Sequence, residues 1–197
     1  MSHSEFIEKP ILTRIKEHDE IKSICDLGSG YGMWGLLLRI QNDFNYTIDA
    51  VDLYEPWLNR LGRLNIYNSL YHSDVIKFLE NPIVYAKYDL FLCCELVEHL
   101  KRVDGLRLIE SLKKAKKVII STPYIKTKKL KKNKGFWAGN DLCFHSSGYT
   151  SHDFKDYNVE LIRINYIPRY FKPFLRVRER LIGKTYSEYN ILAHRGI

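Results

Sequence analysis

The sequence predicts an α/β fold in which seven strands form a doubly wound, mostly parallel sheet with helices on both faces. Short apolar runs that are typical of buried strands alternate along the chain with segments whose apolar residues recur at helical spacing. One of these runs, 88–94, is apolar almost throughout, as expected of a strand that is covered on both faces. This alternation indicates parallel strands joined by crossover helices.

Length and composition fit one globular domain over 1–197. The chain has 197 residues, of which 45% are hydrophobic and 27% are charged. No apolar run has the length of a membrane span, and the first residues lack the basic and apolar segments of a secretion signal. The four cysteines form no Cys-x-x-Cys pair. We therefore expect a reduced, cytoplasmic protein with no integral membrane association and no metal site.

The chain is basic, with a formal net charge of +8. Such a charge favours anionic substrates, nucleic acid or a membrane surface as partners, but it says little about the fold. Two stretches concentrate it: a lysine-rich loop over 126–134, and a basic, aromatic insertion over about 169–184 before the last strand. A lysine run is also typical of a solvated, mobile loop, so both interpretations stay open.

A glycine-rich turn joins the first strand, 22–27, to the first crossover helix. Gly28, Gly30 and Gly32 occupy alternate positions in this turn. Glycines here let a ligand approach the main chain, and the start of the helix offers free N–H groups. The spacing differs from the dinucleotide fingerprint, in which the third glycine follows the second by three positions.

The later elements continue the alternation. Apolar runs predict further strands over 46–51, 67–71, 117–120, 158–167 and 188–194. Helical spacing predicts helices over about 5–18, 33–40, 75–79, 106–112 and 151–157. Another helix follows the second strand, and we expect its residue Trp57 to lie in the core.

Acidic residues follow the second and third strands. Asp52 comes directly after 46–51, and Asp74 follows 67–71. A carboxylate at the tip of the second strand can accept hydrogen bonds from both hydroxyls of a ribose, as it does in dinucleotide-binding folds. Each acid has a second interpretation, as the N-cap of the helix that follows it. Ligands of open α/β sheets bind at the carboxyl ends of the strands, which is where both acids are expected.

These motifs resemble those of the class I S-adenosylmethionine (SAM)-dependent methyltransferases. That family has an acid two residues before a Gly-x-Gly-x-Gly turn, and Asp26 with the three glycines matches it. The segments 98–100, Glu-His-Leu, and 122–123, Thr-Pro, are similar to family segments after the fourth strand and at the end of the fifth. The resemblance covers about 21–167. It implies a Rossmann-like fold with a final antiparallel strand, and SAM as the cofactor.

The resemblance also implies the residues that bind the cofactor. Asp26 would serve the ammonium of SAM directly or through water, while the turn lines its carboxylate and ribose. Asp52 would bind the ribose hydroxyls, Leu53 would flank the adenine, and Asp74 would meet the adenine amino group. The full set is Asp26, Gly28, Ser29, Gly30, Tyr31, Gly32, Asp52, Leu53, Asp74, Val75, Cys94 and Glu95.

Three residues are candidates for catalysis: His99, His145 and Tyr124. The cofactor supplies the reactive group, so the protein has to position the acceptor, and a base helps only where the acceptor must lose a proton. Histidine is a candidate because it titrates near neutrality. His99 has a structural alternative, a hydrogen bond to the backbone at the start of a helix.

The leading hypothesis is a SAM-dependent methyltransferase that acts on a small-molecule or anionic substrate. One alternative is an RNA methyltransferase whose stretches 126–134 and 169–184 contact phosphates and stack on bases. Another is a SAM-binding protein without catalysis. The glycine spacing disfavours a NAD-dependent oxidoreductase. The sequence identifies neither the methyl acceptor nor the oligomeric state.

Overall fold

The structure is a computed structural model that describes residues 7–41, 45–126, 142, 144–163 and 189–197. Its helices are α1 (Glu8–Lys16), α2 (Met33–Gln41), α3 (Glu55–Gly62), α4 (Val75–Leu79), α5 (Ile83–Lys87) and α6 (Arg102–Leu112). Its strands are β1 (Ser23–Leu27), β2 (Thr47–Asp52), β3 (Ser69–His72), β4 (Leu90–Cys94), β5 (Lys117–Pro123), β6 (Asn158–Arg163) and β7 (Tyr189–Arg195). Short 3-10 helices cover Val97–His99 and Ser151–Phe154.

The described strands form one seven-stranded sheet in the order β3-β2-β1-β4-β5-β7-β6. The first five strands are parallel, and β7 pairs antiparallel with both β5 and β6. This arrangement confirms the predicted doubly wound, mostly parallel sheet and its final antiparallel strand.

Three helices cover each face of the sheet, which explains why the central strands read as nearly continuous apolar runs. One core cluster includes residues of α1, α2 and α3, such as Ile15, Leu38 and Leu61. The other includes residues of α4, α5 and α6, such as Leu79 and Leu108. All five residues of β4 are buried, because both clusters pack against this strand.

The chain changes direction across the sheet between β1 and β4. From β1 it crosses through α2 to β2 on one side, while β4 lies on the other side of β1. Open α/β sheets bind ligands in the crevice that such a reversal leaves at the carboxyl ends of the strands. The fold therefore places the glycine turn after β1, Asp52 at the end of β2 and Glu95 after β4 around one crevice.

The observed elements differ from the predicted ones in several places. Neither α5 nor the 3-10 helix Val97–His99 was predicted from the sequence. The helix predicted over 151–157 is only a 3-10 turn, because Thr150 and Asp153 cap a single turn before β6 begins. Of the lysine-rich loop 126–134 only Lys126 is described, and 164–167 and the insertion 169–184 lie outside the described residues. No helix in the described part of the chain is long and apolar enough to cross a membrane.

Candidate active site

A cavity of about 250 Å³ occupies the crevice at the carboxyl ends of the strands. Most of the predicted site residues line it: Gly28, Ser29, Gly30, Tyr31, Asp52, Leu53, Asp74, Val75, Cys94, Glu95, His99 and His145. The sequence analysis missed other residues of the wall: Met33, Trp34, Tyr54, Trp57, Leu96, Glu98, Leu100 and Leu142. Asp26, Gly32 and Tyr124 lie outside this lining set.

Asp52 connects the end of β2 to the glycine turn. Its Oδ2 accepts a hydrogen bond from the Gly30 N–H at 2.8 Å, and its Oδ1 accepts one from the Tyr54 N–H at 2.8 Å. Burial raises the pKa of this carboxyl, while the N–H groups of Tyr54, Gly30 and Leu53 act in the opposite direction. Asp52 therefore presents an acidic group to the cavity and fixes the shape of the turn beside it.

Asp74 lies at the cavity and is also the N-cap of a helix. It lines the cavity beside Val75. Its Oδ1 also accepts hydrogen bonds from the N–H groups of Ile76 at 2.8 Å and Lys77 at 3.1 Å, so it is the N-cap of α4. The cap holds its carboxylate at the edge of the cavity.

An aromatic group forms one wall of the cavity. The rings of Tyr31 and Trp57 lie 4.3 Å apart between centroids, and those of Tyr54 and Trp57 lie 5.1 Å apart. The expectation that Trp57 lies in the core was wrong in this respect, since its half-buried side chain faces the cavity. Helical spacing did not indicate this, because Trp57 lies four residues before the buried Leu61 and so on nearly the same face of α3.

Asp26 lies behind the glycine turn rather than on the cavity wall. Its Oδ2 accepts a hydrogen bond from the Tyr67 hydroxyl at 2.6 Å, and that hydroxyl accepts one from the Gly35 N–H at 3.2 Å. The carboxyl thus supports the start of α2 through Tyr67. Burial raises the pKa of Asp26 to about 7, although the Tyr67 hydrogen bond acts against this.

This raised pKa predicts a pH-dependent stability that Asp26→Asn removes. A carboxyl with a folded-state pKa of about 7 and an ordinary value of 3.8 binds more protons in the folded than in the unfolded state. Stability is then fully present below about pH 4, falls as the pH rises to about 7, and is constant above it. At about 1.4 kcal/mol per pKa unit, the free energy of unfolding falls by roughly 4 kcal/mol over this pH range.

Urea unfolding of the unliganded protein at several pH values measures this loss of stability. Parallel stability curves for wild type and Asp26→Asn would contradict the raised pKa.

The segment after β4 brings two glutamates and a histidine to the opposite side of the cavity. Glu95 has a φ of 52°, a left-handed conformation that costs a non-glycine residue of order 1–3 kcal/mol and is typical of functional sites. Its Oε1 accepts hydrogen bonds from the Ser121 hydroxyl and the Asn190 amide, each at 3.0 Å. These contacts from β5 and β7 hold the segment in place.

Glu98 is almost fully buried, with 1% of its surface exposed. Its Oε2 accepts a hydrogen bond from the Thr122 hydroxyl at 2.9 Å. Burial, followed by repulsion from Glu95, raises the pKa of Glu98. Burial also raises the pKa of Glu95.

Backbone contacts bring His145 to His99. The carbonyl oxygen of Glu98 accepts hydrogen bonds from the N–H groups of Ser146 at 2.7 Å and Ser147 at 3.1 Å. The two imidazole rings therefore meet edge to face, with centroids 4.9 Å apart. Burial, followed by the proximity of His145, lowers the pKa of His99 to about 4, and burial lowers the pKa of His145. Both rings are therefore mostly neutral at pH 7.

Glu98, His99 and His145 form a group that could hold a metal ion. Each offers one ligand atom, and these atoms lie within 4.8 Å of one another. No metal site was expected from the sequence, so this group was not among the predicted sites. No sequence pattern indicates this group, because His145 is distant in the chain and the contacts of Ser146 and Ser147 do not follow a recognisable motif.

Tyr124, the third catalytic candidate, is at the end of β5 but points elsewhere. Its N–H donates to the Tyr189 carbonyl at 2.9 Å, and it pairs with Tyr149 in an isolated β-bridge. Its partly buried side chain packs against the core cluster of α4, α5 and α6. The structure thus brings His99 and His145 together and leaves Tyr124 outside the cavity lining.

Several solved structures with a similar fold are described as methyltransferases. The 1,6-didemethyltoxoflavin-N1-methyltransferase of Burkholderia thailandensis, solved with its substrate and S-adenosylhomocysteine (SAH), is 12% identical, with a TM-score of 0.59 over 94% of this chain and 76% of that one. The plantazolicin methyltransferase BpumL in complex with SAH is 14% identical, with a TM-score of 0.54 over 92% and 77%.

The small RNA methyltransferase HEN1 is also similar, at 18% identity and a TM-score of 0.55 over 98% of this chain. This chain spans only 26% of the HEN1 chain. No protein-family model matches the sequence, and no curated protein matches it. At these identities the likeness concerns the fold.

Proposed function

Because the chain has the fold of the class I SAM-dependent methyltransferases, we propose that it binds SAM and transfers its methyl group to an acceptor. The observation that carries this proposal is the position of Asp52. Its carboxylate lines the cavity and is hydrogen-bonded to the N–H of Gly30 in the glycine turn. The resemblance of the sequence to this family assigns the same glycine turn and the same acid, Asp52, to cofactor binding.

The cofactor occupies the half of the cavity between the glycine turn and α4. Asp52 accepts hydrogen bonds from the ribose hydroxyls, and the turn residues Gly28 to Gly30 line the ribose and the methionine part. Leu53, Val75 and Trp57 supply apolar surface for the adenine, and Asp74 meets its amino group. The cavity thus offers apolar side chains for the adenine base and polar groups for the ribose.

Asp26 acts on the cofactor indirectly in this proposal. Its hydrogen bond to Tyr67 supports the start of α2, where the turn ends. In this proposal the Asp26 carboxylate contacts the ammonium of SAM through a bridging water molecule.

The acceptor occupies the half of the cavity near Glu95, His99 and His145. SAM supplies an activated methyl group when bound, so these residues have to orient the acceptor and exclude water. Neutral imidazoles can accept a proton from it. His99 is a weak base at neutral pH, because burial lowers its pKa to about 4.

We propose a small-molecule acceptor. The cavity is modest in volume, and two of the structural neighbours are named for reactions on small molecules or natural products. RNA is the second candidate. It is favoured by the net charge of +8, by the lysine-rich stretch 126–134 and by the likeness to a small RNA methyltransferase.

Methyl transfer from isotopically labelled SAM tests the proposal and separates the two acceptors. We expect the label in the small-molecule fraction of a metabolite extract, with little change when Lys128, Lys129, Lys131 and Lys132 are all replaced by Gln. Label in RNA instead, with binding that weakens steeply with salt and a slope that falls in the lysine variant, would show that RNA is the acceptor. Absence of transfer to both, together with tight SAM binding, would support a SAM-binding protein without catalysis.

A further inference from the structure

Three potential metal ligands converge on one side of the cavity. Glu98, His99 and His145 line this part of its wall, and one potential ligand atom of each lies within 4.8 Å of the others. They are one carboxylate and two imidazoles. The 3-10 helix Val97–His99 holds the first two, and the distant segment 144–150 holds His145.

Two buried polar atoms in this group, Glu98 Oε1 and His99 Nδ1, have no hydrogen-bond partner of good geometry among the described residues. The His99 ring does lie near the backbone of Phe144 and Glu95, and these contacts act to raise its pKa, so Glu98 Oε1 is the clearer case of an unpaired atom. A buried polar atom left in this state costs about 1–3 kcal/mol, so each such atom in a native structure calls for an explanation. No salt bridge in the described part of the chain involves Glu98, although the residue is only 1% exposed. A bound cation would explain both observations.

We propose that Glu98, His99 and His145 bind one divalent transition-metal ion. Imidazole ligands suit zinc, copper, iron and nickel, and a carboxylate completes a set that is common for such ions. Ligand atoms of one ion, each about 2.1 Å from it, lie about 3–4 Å apart. The observed separations of up to 4.8 Å therefore need only small side-chain rotations to close around an ion.

Contacts around the three residues resemble the support that metal ligands usually have. Thr122 donates to Glu98 Oε2 at 2.9 Å and leaves Oε1 for the ion. The bonds from Ser146 and Ser147 to the Glu98 carbonyl fix His145 against the same turn. Such outer hydrogen bonds orient ligands and strengthen metal binding.

The site would be open rather than closed. Three protein ligands leave at least one position for water or substrate, as in catalytic zinc sites, and all three residues line the cavity. If the proposed methyltransferase function holds, an oxygen or nitrogen of the acceptor could take this position. His99 and His145 would then position the ion rather than act as bases, because a ligating nitrogen has no lone pair left for a proton.

Metal binding by the whole chain, freed of metal with a chelator, tests the proposal. Zn²⁺ and Co²⁺ are titrated calorimetrically into wild type, Glu98→Gln and His145→Gln, with His152→Gln as a matched control. His152 is an exposed histidine outside the group. We expect one equivalent of metal to bind to wild type and His152→Gln, and binding at least tenfold weaker in the other two variants.

A second measurement needs no variant, in case the Glu98 or His145 changes prevent folding. Pulsed electron paramagnetic resonance on wild type loaded with one equivalent of Cu²⁺ counts coordinated imidazoles, and we expect two. No binding, binding that Glu98→Gln and His145→Gln leave unchanged in folded protein, or a Cu²⁺ signal without imidazole would each overturn the proposal. SAH binding is measured in the same metal-free protein. SAH binding without metal binding would reject the ion alone, whereas failure to bind SAH would reject the proposed function.

Discussion

Replacing Gly32 with alanine is expected to destabilise the folded protein by about 2–6 kcal/mol. Gly32 has a φ of +82°, where an L side chain is strained by about 1–3 kcal/mol. A Cβ there would also lie 2.4 Å from Leu61 Cδ2 and 3.3 Å from the Tyr67 ring. Overpacking of this kind costs about 1–3 kcal/mol. Urea unfolding followed by circular dichroism measures the loss.

Gly62→Ala is the matched control for this change. Gly62 ends α3, and a Cβ there would meet only Leu70 Cδ1, at the ordinary contact distance of 3.6 Å. Alanine restricts the unfolded chain more than glycine does, so we expect this variant to be more stable than wild type by up to about 1 kcal/mol. A Gly32→Ala protein as stable as Gly62→Ala would show that the glycine turn does not have the described conformation.

The sheet could be predicted from the sequence because its signals are local. The apolar run of β4 and the glycine turn after β1 each lie within about ten residues, and hydrophobic patterning over such windows is the main signal for secondary structure. Helix starts are less certain, and α6 begins at Arg102 rather than at the predicted position 106. The short α5 and the 3-10 helix Val97–His99 have too few residues to show a periodicity.

The cavity lining beside the glycine turn could be predicted because its residues follow strands that share one sheet edge. The orientation of the Asp26 side chain could not be predicted from the sequence. Strand alternation separates Asp26 from Cys25 and Leu27, but it does not reveal that Tyr67, distant in the chain, donates a hydrogen bond to its carboxylate. The partners of a buried polar group depend on long-range packing, and a sequence pattern does not contain them.

The cavity lining around Glu98, His99 and His145 depends even more on distant contacts. Glu98 and His99 are adjacent in the chain, but His145 joins them only because Ser146 and Ser147 donate to the Glu98 carbonyl. Tyr124 shows the opposite case. It follows β5 at the correct edge of the sheet, yet its side chain packs against a core cluster instead of the cavity.

Asp52→Ala is expected to have the largest effect on cofactor binding. The change removes the proposed acceptor of the ribose hydroxyls, and it also leaves the N–H groups of Gly30 and Tyr54 without this partner. Leaving polar groups unpaired costs about 1–3 kcal/mol, which lowers affinity by roughly 5- to 150-fold. Asp156→Ala is the matched control, because Asp156 pairs with Lys113 outside the cavity lining.

Calorimetric titration of SAH into wild type, Asp52→Ala and Asp156→Ala, with NAD titrated in parallel, tests whether the crevice binds SAM through Asp52. We expect SAH to bind to wild type and Asp156→Ala with equal affinity and to folded Asp52→Ala more weakly by about 1–3 kcal/mol, while NAD binds poorly to all three. NAD binding without any response to SAH would contradict the proposed function. Equal SAH affinity in folded Asp52→Ala would contradict the role of its carboxylate at the ribose.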